Sequence, residues 1–174
     1  MLTVTKLDAA TRNLTTAIRL FFDRGDPIAI HTLASAAQAV IRDLAKSKGS
    51  DKTSTLHDNS AIPGHIRKDW INSINAPRNF FKHADKDAEA KFDFHEEENE
   101  LMLLDAVTIR LQLALDQPLE ALAFIGWFAV AKPEMRHMFD PNYIADHCER
   151  NSISPTDFNR FKEFCDSRIL IDEA

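Results

Sequence analysis

Apolar residues recur along this chain at spacings of three and four, the period of helices that bury one face. Between Leu7 and Arg24 the positions Leu7, Leu14, Ile18 and Phe21 share a side, and Gly25 marks a stop. Asp26 followed by Pro27 is an N-cap with a first-turn proline, so a second helix starts there. Its expected core stripe is Leu33, Ala37, Val40, Ile41 and Leu44, ended by Gly49. The opposite face carries His31, Ser35, Gln38 and Arg42 and reads as the solvated side of an amphipathic helix. If that face borders the next helix, His31 and Arg42 extend any cleft there. The polar stretch SDKTSTLHDNS, from Ser50 to Ser60, reads as a mobile loop.

Pro63 opens a third helical stretch through Trp70 and Ile74. An interior proline clashes with the preceding turn, so Pro77 predicts a kink or a fresh start capped by Asn75. Lys91 to His95, KFDFH, alternates apolar and polar residues and predicts a short extended piece. Glu96, Glu97, Glu98 and Glu100 suit the N-terminus of a following helix with Leu101, Leu104, Thr108, Leu111 and Leu115 on one face. After Pro118 comes LEALAFIGWFAVA, apolar nearly all round, the pattern of a helix central in a core or in a subunit interface. Asp140-Pro141 and Ser154-Pro155 open two shorter helices, the latter turning Phe158, Phe161 and Cys165 inward. The tail, residues 169–174, reads as loosely attached. These segments predict one all-α domain over residues 1–174, a bundle of about six to eight helices.

Composition narrows the class without changing the fold. Four glycines disfavour a hairpin-rich protein. At 174 residues the chain buries about 70% of its unfolded surface, so its core needs no metal or disulfide staple. Cys148 and Cys165 form no CxxC pair, which fits a reduced, cytoplasmic protein. The start, MLTVTKLDAATRN, lacks the apolar centre of a signal peptide, and no apolar run approaches the roughly 20 residues a membrane span needs. A net charge of −6 argues against broad nonspecific nucleic-acid binding, which rests on many phosphate contacts, but leaves room for a local basic cleft.

Chemistry concentrates in Pro77 to Asp85, PRNFFKHAD. On a helix Asn79 and His83 share one face, and Arg78 and Lys82 another. Phe80 and Phe81 lie between them as anchors. Arg-Asn, three residues, then His, in a small all-α protein, resembles the Rx4–6H signature of HEPN domains. The resemblance covers about six residues and the fold class. It implies a metal-independent ribonuclease of toxin or defence type, without a cofactor and working as a homodimer with a shared cleft. It also implies a cognate antitoxin or a nucleotidyltransferase-type partner. Other HEPN-like proteins are catalytically silent interaction modules, and that alternative stays open.

The residue types suit phosphodiester chemistry. An imidazole exchanges protons near neutral pH, so His83 is the candidate general acid or base. Arg78 offers a permanently charged fork that matches phosphate oxygens. Asn79 and Asp85 are supporting groups, and Lys82 and Lys86 add positive potential. The bland assignment pairs Arg78 with Asp85 or with the Glu96–Glu100 run. A third possibility is a metal-dependent hydrolase drawing on His31, His57, His65, His83, His95, Asp58 and Asp85. Its adjacent His57-Asp58 pair falls in a loop where such enzymes use a helix, and no metal ligand is assigned.

Overall fold

Thr5 closes a capping box with Asp8, its hydroxyl accepting from the Asp8 N–H while the carboxylate takes the Thr5 N–H, and helix α1 (Lys6–Phe22) begins. Asp26 caps α2 (Pro27–Ser47) by accepting the Ala29 N–H. The computed structural model describes residues 1–50, 54–85, 87–113, 116–139 and 142–167. Beyond α2 come α3 (Gly64–Lys82), α4 (Glu98–Gln112), α5 (Leu119–Ala131), a 3-10 helix (Pro133–Phe139), α6 (Tyr143–Arg150) and α7 (Phe158–Asp166). The fold is an all-α bundle, with no strand among the described residues. None of these helices is long and apolar enough to cross a membrane.

α2 packs most extensively on α1 and α4, and α5 gathers α6 and α7 with the 3-10 helix. An aromatic cluster joins the two groups. The Phe21 ring meets Phe124 at 5.6 Å and Trp127 at 4.7 Å, and Phe22 stacks on Phe161 at 5.9 Å. Phe124, Phe128 and Phe161 are fully buried, each contributing about 1.5–3 kcal/mol of transfer free energy. The all-round apolar α5 is therefore covered by this chain's own helices, so its composition no longer argues for a subunit interface.

Several expected faces differ. In α2 the buried side is Ile30, His31, Ala34, Ser35, Ala37, Gln38, Ile41 and Ala45. His31, Ser35 and Gln38, expected in solvent, lie inside: α4 offers His31 and Gln38 polar partners in Asn99 and Asp105, and the Ser35 hydroxyl donates to the Thr32 carbonyl of its own helix. In α4, Leu101 and Leu111 are exposed, and Leu104 is joined in the interior by Met102, Leu103, Ala106, Val107 and Ile109. Leu115 lies outside the described residues. A helix buried nearly all round has no single stripe for periodicity to find. α3 runs unbroken through Pro77, and Asn75, expected as a cap, sits within the helix with its amide donating to the Ile71 carbonyl at 2.9 Å. Lys91–His95 forms no ladder, its Phe92 and Phe94 packing on Phe80 and Phe81 instead.

The segment expected as a mobile loop divides. Residues 51–53 lie outside the described set, while Ser54, Leu56 and His57 are buried. Lys86, the Asp140-Pro141 start and residues 168–174 also lie outside it. α3 rests chiefly on α2 and buries only Pro77 completely. It is the least embedded of the long helices.

Candidate functional site

The last turn of α3 carries the RNFFKH segment, and His83 ends the helix in extended backbone, its N–H still bonded to the Asn79 carbonyl. Phe81 holds this end down. Its ring meets His31 edge-on at 5.8 Å and Phe94 at 5.2 Å, and Phe80 leans on Phe92 at 5.3 Å. Around the anchor opens a cavity of about 610 Å³ lined by Asn79, Phe80, His83, Asp85, Asp87 and Phe92, together with Ala76. That volume is within the usual range for ligand pockets.

The structure thus brings Asn79, His83 and Asp85 to one cavity, and Asp87 joins them. Arg78 and Lys82 are not among its lining residues. They stand one helical turn apart. Desolvation first, and the Arg78 guanidinium second, push the Lys82 ammonium down from its usual value. Neither Arg78 nor Lys82 makes an ion pair or side-chain hydrogen bond among the described residues. Arg78 is paired with neither Asp85 nor the Glu96–Glu100 run, and Glu100 takes Lys132 at 3.2 Å.

His31 and Arg42 belong elsewhere. Arg42 is committed to Asp58, with Nε at 2.9 Å and Nη2 at 2.6 Å, and Lys46 reaches the same carboxylate at 3.1 Å. That pair, then desolvation in opposition, leaves the guanidinium with a raised pKa. His31 touches the motif from beneath, through Phe81, and is 1% exposed. Burial holds its imidazole below the ordinary histidine range.

A second polar constellation centres on Asp105, which is 2% exposed. Its carboxylate accepts from Gln38 Nε2 at 2.7 Å, Ser54 Oγ at 2.6 Å, Thr55 N at 2.7 Å and Leu56 N at 3.2 Å. Asn75 donates through its amide to Ile71, so its Oδ1 faces His57 as an acceptor at 3.4 Å. His57 therefore carries its proton on Nε2, and Nδ1 accepts from Gln38 at 3.2 Å. Desolvation first, and nearby Arg42 second, push the His57 pKa down and keep it neutral. Because the Ser54 hydroxyl donates to Asp105, the imidazole does not serve as its base, and the trio is not a nucleophile triad. It is a saturated network that ties the 54–58 segment to α2 and α4. Trp70 extends it to α3, its indole N–H donating to the Leu56 carbonyl at 2.6 Å.

Asp105 is the member the sequence signals. It stands inside LMLLDAVTIRL, where an unpartnered carboxylate would be costly to bury. His57 and Asp58 turn to different partners, and no three His, Cys, Asp or Glu side chains converge among the described residues. No protein-family model matches the sequence, and neither does any curated protein or solved structure.

Proposed function

We propose that the C-terminal end of α3 is the phosphodiester site of a metal-independent ribonuclease of HEPN type. The supporting observation is that Arg78, Lys82 and His83 crowd one helix end while no described acidic group neutralises the two cations. Asp85 and Asp87 line the neighbouring cavity. A phosphate therefore settles on the Arg78 and Lys82 side and presents its ribose to His83. In the reaction the RNA 2′-oxygen attacks phosphorus while the bond from phosphorus to the 5′-oxygen breaks. One proton leaves the 2′-hydroxyl and one is gained by the departing 5′-oxygen, giving a 2′,3′-cyclic phosphate and a 5′-hydroxyl. His83 exchanges the proton, Arg78 bears the developing phosphorane charge, and Asn79 holds the imidazole or a phosphate oxygen.

The test is degradation of mixed RNA in EDTA. Wild type cleaves, and His83→Ala and Arg78→Ala each lose about 10²–10⁴-fold. Cleavage abolished by EDTA, or equal in wild type and His83→Ala, overturns the proposal.

One observation favours a second reading, an interaction module. α3 leaves Ile66 43% and Trp70 39% exposed on a helix scarcely sunk into the bundle. On either reading this face suits a second copy of the chain. Sedimentation then gives a dimer that Ile66→Asp dissociates, and a monomeric wild type rejects the homodimer.

A further inference from the structure

One side of α3 carries imidazole, ammonium and amide groups and no carboxylate. At about 100° per residue, His65, Lys68, Asn72, Asn79 and Lys82 fall within about 100° of arc, and all five are exposed. From His65 to Lys82 the stripe runs about 26 Å along the axis, at 1.5 Å per residue. Asp69, the one acidic residue of the helix, lies outside the arc. Ile66 and Trp70, the apolar pair that suits a second copy, stand roughly on the opposite side. Among the described residues none of the five makes a side-chain hydrogen bond or ion pair. Their neighbour Asn75, by contrast, is committed to the Ile71 carbonyl and to His57. Asparagine is a poor helix former because its amide competes for the backbone. Asn72 and Asn79 therefore weaken an exposed helix with no contact in return.

Charge singles out the same helix. With Arg67, Lys68, Arg78 and Lys82 against Asp69, α3 carries +3 in a chain whose net charge is −6. Arg67 is spent on the Asn59 and Ile62 carbonyls, and no carboxylate takes it. We propose that the stripe is a track for single-stranded RNA. Lys68, Lys82 and the adjoining Arg78 meet phosphates, while Asn72 and Asn79, which both donate and accept, bond to phosphate and ribose oxygens. No Phe, Tyr or Trp lies in the arc to stack a base, so the contacts fall on the backbone and binding is indifferent to sequence. The choice of RNA rests on the ribonuclease reading. The stripe ends beside Arg78 and His83, so a strand laid along α3 arrives at the proposed phosphodiester site. An acidic peptide is the competing occupant.

Fluorescence anisotropy of the full chain with a labelled, fully 2′-O-methylated oligonucleotide of about 12 nucleotides tests the track without any cleavage. Three phosphate contacts give a slope of about −2 for log affinity against log salt concentration. Lys68→Gln weakens binding about three- to fivefold and makes that slope shallower by about 0.7. Asn72→Asp, which sets a carboxylate on the stripe, weakens it further. Lys68 stands about 15 Å from Arg78 along the axis, so a dinucleotide at the phosphodiester site binds wild type and Lys68→Gln alike. Lys6→Gln, the same charge change on α1, leaves the affinity unchanged, and thermal melts confirm that the variants fold. Unchanged affinity in Lys68→Gln, an equal loss in Lys6→Gln, or tighter binding of poly-glutamate than of RNA overturns the proposal. Binding along the stripe by a protein that cleaves no RNA leaves the track standing and removes the nuclease. Cleavage by wild type, with Lys68→Gln binding RNA as wild type does, has the reverse meaning.

Discussion

Replacing Asp105 by alanine tests the view that a buried carboxylate, and not loop sequence, fixes the 54–58 segment. Four donors lose their acceptor at once: the Gln38 amide, the Ser54 hydroxyl and the N–H groups of Thr55 and Leu56. Hydrogen bonds to a charged group contribute about 1.5–3 kcal/mol each, so the unrelaxed sum is roughly 6–12 kcal/mol. The segment will not bear that full cost, because it detaches and lets water reach its donors. The loss is then bounded by what detachment exposes. Burial of Leu56, now 8% exposed, contributes about 1.5–3 kcal/mol. The Trp70 bond to its carbonyl adds about 1 kcal/mol, with part of the Gln38 and His57 network lost besides. The expected destabilisation is about 3–5 kcal/mol, a fall in Tm on the order of 10 °C for a chain of this size. Urea melts and limited proteolysis measure it, with new cleavage near residues 54–60 before global unfolding. Asp105→Asn keeps the shape and loses less. An alanine variant within about 1 kcal/mol of wild type, with an unchanged proteolytic pattern, refutes the reasoning.

Stability falls on acidification below about pH 6.5, because burial holds His31 and His57 below the unfolded value of 6.5 and the unfolded chain takes up their protons first. Melts between pH 8 and 5 show the fall, and His57→Gln flattens part of it; an unchanged slope contradicts the assignment. Gly126→Ala costs about 1–3 kcal/mol, since a Cβ there meets Ile144 Cγ2 at 2.3 Å where α5 crosses α6. A variant as stable as wild type in the same melts shows that α6 yields. Cys148 and Cys165 stay unmodified by a thiol reagent at pH 8 until urea unfolds the chain, because burial pushes their thiols up to about 11 and 12.

Much of the helical framework was legible because its signals are local. Asp26-Pro27 starts α2 and the run after Pro118 forms α5 through contacts that adjacent residues supply. The burial of His31, Ser35 and Gln38 was not legible. The partners of His31 and Gln38, Asn99 and Asp105, lie 68 and 67 positions away in the chain, and periodicity carries no information on such pairings. Pro77 misled for a different reason. A proline removes one helical hydrogen bond, but Phe80 and Phe81 beyond it pack on Phe92, Phe94 and His31 and hold the helix on course. At the candidate site the helical spacing of Asn79 and His83 was readable. The company of Asp87 at the cavity, and the commitment of Arg42 to Asp58, depended on tertiary approach.

On the proposed ribonuclease reading, His83 and Arg78 drive attack by the RNA 2′-hydroxyl. The most direct measurement compares one RNA oligonucleotide with its fully 2′-O-methylated counterpart in EDTA and analyses the product ends. Wild type is expected to cleave the RNA alone, leaving 2′,3′-cyclic phosphate and 5′-hydroxyl ends, and His83→Ala to leave both substrates intact. Cleavage of the methylated strand, or products ending in a free 3′-hydroxyl, contradicts it.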